Sequence, residues 1–131
     1  MTAQVTELSE ELRQQLDFIN GELEQFLDGE LYHQGIERLD QILQTVPDDD
    51  TYRPLRGALF ARRAELLLEL EDDEEAWEYA QKAMNAGWYD AGVYSIAGWA
   101  MYLMDEYDRA REQFDSALEL DPDRLPSLNG R

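Results

Sequence analysis

Apolar side chains recur along this chain in steps of three and four, and each such run ends at a short polar or glycine-containing break. From Thr6 or Ser9, the residues Leu8, Leu12, Leu16, Ile19, Leu23, Phe26 and Leu27 keep one face apolar for several turns, which predicts a long amphipathic helix. Asp28-Gly29 ends it, with the glycine expected in the left-handed conformation. A second run, Ile36, Leu39, Ile42, Leu43 and Val46, predicts a helix that stops at Pro47. Pro54 within the segment 50–56 suits a first helical turn, so a third helix is expected to begin early, carry Phe60, Ala64 and Leu67 on its packing side, and end at Glu71. Asp72 and Glu75 then read as a capping box for a fourth helix bearing Ala76, Ala80, Ala83 and Met84, with Gly87 as its stop. A fifth runs from Ala91 through Met104 and a sixth, after Asp105-Glu106, through Leu120 to Asp121-Pro122. The expected fold is all-α, built of antiparallel helix hairpins.

The last hairpin has a copy of itself upstream. Ala76, Ala80, Ala83 and Met84 stand 34 residues before Ala110, Phe114, Ala117 and Leu118, in unbroken register. Gly35, Leu39, Ile42 and Pro47 hold the corresponding places in a more degenerate first unit, with Leu23 where Gly98 stands in the last. Small residues at Gly98 and Ala110 allow two helix backbones to approach, while Phe114 and Tyr94 fill the space between successive hairpins. The spacing of Tyr94, Gly98, Met101, Tyr107, Ala110, Phe114, Ala117 and Pro122 resembles the tetratricopeptide repeat, a helix–turn–helix unit that stacks into a right-handed α-solenoid. The resemblance covers units at about 16–49, 57–90 and 91–124, within a single domain 1–131 that has an N-terminal helix extension over 6–15 and a short tail over 125–131. Trp88 stands where the second unit would have its closing proline, which affects the shape of that loop and not the hairpin.

Members of this family commonly add a further amphipathic helix over the last hairpin. The residues after Pro122, DRLPSLNGR, are too short for a full one. The expectation is therefore a trimmed chain, or a partner that covers the face carrying Leu118 and Phe114. A second copy of the chain is one such partner, giving a homo-oligomer through the uncapped C-terminal hairpin.

Charge narrows the function. Thirty acidic residues against eleven basic ones give a net charge of −19, the opposite of the positive footprint that nucleic acid requires. The charge is spread along the chain, about −9 over 1–56, −6 over 57–90 and −5 over 91–124, so a solvated acidic surface is the simplest reading. Ten of the eleven bases are arginines, a bias consistent with a GC-rich genome or a salt-loving host. There is no cysteine, hence no disulfide framework. No secretory leader or membrane span is legible. A soluble cytoplasmic protein without nucleic-acid or membrane partners is expected.

Catalytic chemistry finds little support. His33 is the one histidine and has no cysteine beside it to share a metal. The runs Asp48-Asp49-Asp50 and Glu71 to Glu75 lack the alternating ligands and central glycine of a calcium loop. Glu65 and Glu69, one helical turn apart, have a spacing frequent in any acidic helix. Neither a glycine-rich phosphate loop nor a nucleophile elbow is present. The expectation is a non-enzymatic protein with no cofactor and no bound metal.

Binding has more to stand on, and it comes from the resemblance. In tetratricopeptide proteins the leading helix of each hairpin lines a concave groove that takes a partner peptide or helix. Carried onto this chain, the lining would be Asp17, Asn20, Glu24 and Leu27 from the first unit. The second would give Ala58, Ala61, Glu65 and Leu68, and the third Gly92, Ser95, Trp99 and Tyr102. Trp99 and Tyr102 either meet a partner or pack under the C-terminal tail. The places that clamp a free carboxylate in some relatives hold Asn20, Glu24, Arg62, Gly92 and Ile96 here, a poor match. Inward carboxylates repel an acidic ligand, so the expected partner is a neutral or basic peptide, or an amphipathic helix, anchored near Trp99. A protein-interaction module is the first expectation, and a bacterial secretion chaperone holding a client segment, similar in size, charge and repeat number, is the alternative.

Overall fold

The computed structural model describes residues 8–121. Its elements are six helices in succession: α1 (Glu10–Asp28), α2 (Tyr32–Thr45), α3 (Arg53–Glu69), α4 (Asp73–Asn85), α5 (Ala91–Leu103) and α6 (Tyr107–Leu120). Among the described residues there is no strand. Each helix packs on the next, and α3 also touches both α1 and α5. The leading helices α1, α3 and α5 therefore lie side by side, with α2, α4 and α6 forming the other layer.

Local chemistry sets the helix starts in two ways. Ser9 and Asp90 have extended backbones, with ψ of 162° and 172°, and their side chains accept from the backbone N–H of Leu12 and Val93. Leu31, Asp72 and Glu106 precede the second helix of each hairpin with ψ of only 61°, 76° and 69°, and none caps through its side chain. The capping box expected at Asp72 is thus not formed. The turn is so tight that Asp72 belongs to the end of α3 as much as to the start of α4, and its backbone never reaches the extended conformation that aims a capping oxygen. Pro54 does lie in the first turn of α3, which begins at Arg53. The beginning expected for α1 at Thr6 lies outside the described residues, as do Pro122 and the 125–131 tail.

The three turns inside the hairpins have one geometry. Glu30, Glu71 and Asp105 sit at φ of 56°, 61° and 66°. In each, the next residue's N–H reaches back to close the helix: Leu31 to the Phe26 carbonyl at 2.8 Å, Asp72 to Leu67 and Glu106 to Met101 at 2.9 Å. This corrects two expectations. Gly29 has φ −89° and is the C-cap, so the left-handed residue is Glu30, one position later. Helix α3 likewise stops at Glu69, with Leu70 as its cap, and Glu71 makes the turn. Between α4 and α5 the left-handed position is Gly87, at φ 90°.

Core composition changes along the stack. Between α1, α2 and α3 it is leucine-rich, with Leu39, Leu55, Leu59 and Leu66 almost wholly buried, each worth roughly 1.5–3 kcal/mol relative to exposure. Between α3, α4 and α5 it is alanine-rich, with Ala61, Ala64, Ala80, Ala83 and Ala97 closed from solvent. Small side chains bring those backbones close and restrict which residues fit beside them. Arginines tie the outer layer to the inner one. Arg63 on α3 donates to both carboxylate oxygens of Asp40 on α2, at 3.0 and 3.3 Å, and its guanidinium lies 4.4 Å from the centre of the Tyr79 ring on α4. Arg56 donates to the carbonyls of Leu43 and Val46, satisfying the C-terminal end of α2.

Candidate binding groove

Because α1, α3 and α5 are neighbours, side chains on their common side enclose a hollow in two adjoining parts. The larger, of about 590 Å³, lies between α3 and α5 and is closed at one end by the turn into α4. The smaller, of about 230 Å³, lies between α1 and α3. Arg62 and Glu65 line both. They are joined by an ion pair of 2.7 Å, one helical turn apart on α3, and this pair forms the partition between the two parts.

The leading helices bring together seven of the ten residues singled out from the sequence. Asn20, Glu24 and Leu27 line the smaller part, Leu68, Ser95 and Trp99 the larger, and Glu65 both. The remaining three go elsewhere. Ala61 and Ala58 are each 1% exposed and pack in the core, Ala61 in the close α3–α4–α5 contact and Ala58 in the leucine-rich cluster between α1, α2 and α3. Asp17 is exposed on α1 outside both parts. Tyr102 is 47% exposed, beside the hollow and not in its wall. Gly92 does line the larger part.

Residues that sequence reasoning did not place there complete the wall. Glu69, Glu71 and Asp73 come from the end of α3, the turn and the first residue of α4. Their run of charge is visible in the sequence, but it reads as a helix cap; only the tight turn reveals that it also faces the groove. Leu103, at the end of α5, is a further addition in the larger part, and Leu66 of α3 is one in the smaller.

The larger part has an apolar side and an acidic rim. Trp99 stands with its ring edge-on to Phe114 at 5.2 Å and to Tyr102 at 5.5 Å between centroids. Its Nε1 is enclosed, and no acceptor among the described residues reaches it. Burial pushes the Asp73 carboxyl above its ordinary range, and the neighbouring charges of Glu71, Asp72 and Glu74 add to the effect. Its Oδ1 is enclosed without a donor. Glu69, lower on the rim, faces Tyr32 of α2; burial first, and then Glu69 and Glu30, raise that phenol.

His33 lies exposed on α2, away from the hollow. Among the described residues no group of three or more His, Cys, Asp or Glu side chains is placed to hold a metal ion, and no helix is long and apolar enough to cross a membrane.

Six helices in sequential hairpins, with leading helices side by side along one hollow, define a helical-repeat stack. Residues 91–124, the hairpin α5–α6 with its closing segment, match the family model described as Tetratricopeptide repeat, over about a quarter of the chain. That hairpin is similar to a tetratricopeptide repeat, a unit of protein–protein interaction modules, and the succession of helices over the rest of the described residues is consistent with stacked units of the same kind. No match is found among the curated proteins.

Proposed function

We propose that this chain is a non-catalytic module that holds a segment of a partner protein in the hollow between α1, α3 and α5. The observation that carries the reading is the adjacency of the two parts: they meet at the Arg62–Glu65 pair, which lines both, so one extended or helical segment laid over that pair would reach all three leading helices. Trp99, Leu68 and Ile96 offer a partner side chain apolar surface, of the kind that supplies most of the energy in small recognition sites. The alternative, a chaperone holding an apolar client, is weakened by five carboxylates around the hollow. The seven lining residues named from the sequence are the proposed contact set, within one domain of three hairpins.

Selection of binders from a random-peptide display library on the purified chain, followed by affinity measurements on the enriched peptides, tests the reading. Trp99→Ala and Leu68→Ala, each checked for retained helicity by circular dichroism, are expected to weaken the enriched peptides by about tenfold or more. Enriched peptides that bind both variants like the parent chain would place the contact elsewhere.

A further inference from the structure

We propose that the occupant of the hollow is a basic segment, with one apolar side chain seated against Trp99, Leu68 and Leu103 and an adjacent lysine or arginine held by Glu69, Glu71 and Asp73. This rests on the groove reading and specifies the chemistry of its partner.

The charge inventory of the wall carries the inference. Among the described residues, five carboxylates, Glu24, Glu65, Glu69, Glu71 and Asp73, line the two parts, against a single cation, Arg62. Arg62 is already engaged by Glu65 at 2.7 Å. The four ion pairs among the described residues leave Glu69, Glu71 and Asp73 without one. These three sit together because the α3–α4 turn folds the end of one helix against the start of the next. Like charges in one rim repel, and the Asp73 carboxyl is held above its ordinary range first by burial and then by the charges of Glu71, Asp72 and Glu74. A cation from a partner relieves that repulsion, an anion aggravates it, and a neutral segment leaves it in place. Beside the rim, Leu68, Trp99 and Leu103 give the apolar stem of the same lysine or arginine, or the residue next to it, a surface to cover. The aromatic wall and acidic rim are thus within one cavity of about 590 Å³, sized for side chains of one short segment.

Two fluorescently labelled probes test this by anisotropy: an amidated amphipathic peptide of leucine and lysine, and its leucine–glutamine counterpart. Three proteins are compared with the parent: the rim variant Glu69→Gln/Glu71→Gln/Asp73→Asn, a charge-matched control Asp108→Asn/Glu112→Gln/Asp115→Asn on the exposed side of α6, and Trp99→Ala. The expected result is that the rim variant weakens the lysine probe on the order of tenfold, while the control changes it little and the glutamine probe binds parent and rim variant alike. Equal losses from rim variant and control would show attraction to the acidic surface as a whole and overturn the inference. If Trp99→Ala weakens both probes but the rim variant affects neither, the groove reading stands and the cation seat falls. Probes indifferent to Trp99→Ala overturn both.

Discussion

Gly98 on α5 lies directly against the ring of Phe114 on α6: a Cβ built at Gly98 would stand 2.7 Å from both Cδ1 and Cε1 of that ring. Movement of the Phe114 ring is restricted, because Trp99 also packs on it edge-on at 5.2 Å between centroids. Gly57 is tighter in kind. A Cβ there would stand 2.8 Å from Cβ of Trp88 and 3.2 Å from the carbonyl oxygen of Ala83, atoms fixed by the backbone of α4 and its turn. Gly21 on α1 has nothing within 4 Å. Alanine gains about 1 kcal/mol over glycine inside a helix, whereas forcing extra volume into a packed contact costs about 1–3 kcal/mol. In urea unfolding, Gly21→Ala is therefore expected to stabilise, Gly98→Ala to destabilise by about 1 kcal/mol, and Gly57→Ala to destabilise most. A gain at Gly57 would mean that α3 and α4 are not in this contact.

The turns offer a second test. Three acidic residues hold left-handed backbones at Glu30, Glu71 and Asp105, a conformation that costs non-glycine residues roughly 1–2 kcal/mol. Glu30 lies outside the groove wall, so its substitution leaves the proposed site intact. Glu30→Gly is expected to raise the unfolding free energy by about 1 kcal/mol, and Glu30→Val to lower it. Thermal and urea denaturation read both, and an unchanged stability in the glycine variant would contradict the geometry of this turn.

Arg63 is the side chain that joins three helices. It is 15% exposed, pairs with both oxygens of Asp40 and stacks on Tyr79. A lysine can replace the charge but not the two-pronged hydrogen bonding or the planar stacking. Arg63→Lys and Arg63→Ala are both expected to destabilise, the latter by about 1–3 kcal/mol, with lysine recovering less than half of the loss. Full recovery by lysine would show that charge alone matters there.

Periodicity made the six helices legible, and small residues at Gly98, Ala80 and Ala110 made their hairpin pairing legible, because both follow from repeating geometry. What escaped the sequence was set by single backbone angles. Glycine at position 29 invited the left-handed assignment that the chain gives to Glu30, and Asp72 invited a capping role that its ψ of 76° prevents. Ala61 illustrates the same limit at the groove. Helical spacing places it on the inner side of α3, but an alanine cannot reach past its own neighbours, and the adjacent helices close over it. Conversely, the acid rim arises from residues on α3, the turn and α4, whose joint position depends on how tightly that turn folds.

That tight turn makes Asp73 sensitive to pH. Its pKa in the folded chain is raised above the ordinary 3.8, first by burial and then by Glu71, Asp72 and Glu74. A carboxyl with a raised folded pKa binds its proton more tightly when folded, so its ionisation opposes folding. The penalty is fully present above the folded pKa, is relieved as pH falls through it, and is gone below 3.8, where both states are protonated. Asp73→Asn is accordingly expected to be more stable than the parent chain at neutral pH, with the advantage shrinking as the solution is acidified toward 3.8. Parallel urea titrations across that window measure the difference directly. An advantage that persists unchanged at the acidic end would assign it to a property of asparagine other than its missing charge, and a disadvantage at neutral pH would mean that the favourable field at the start of α4 outweighs the crowding of like charges.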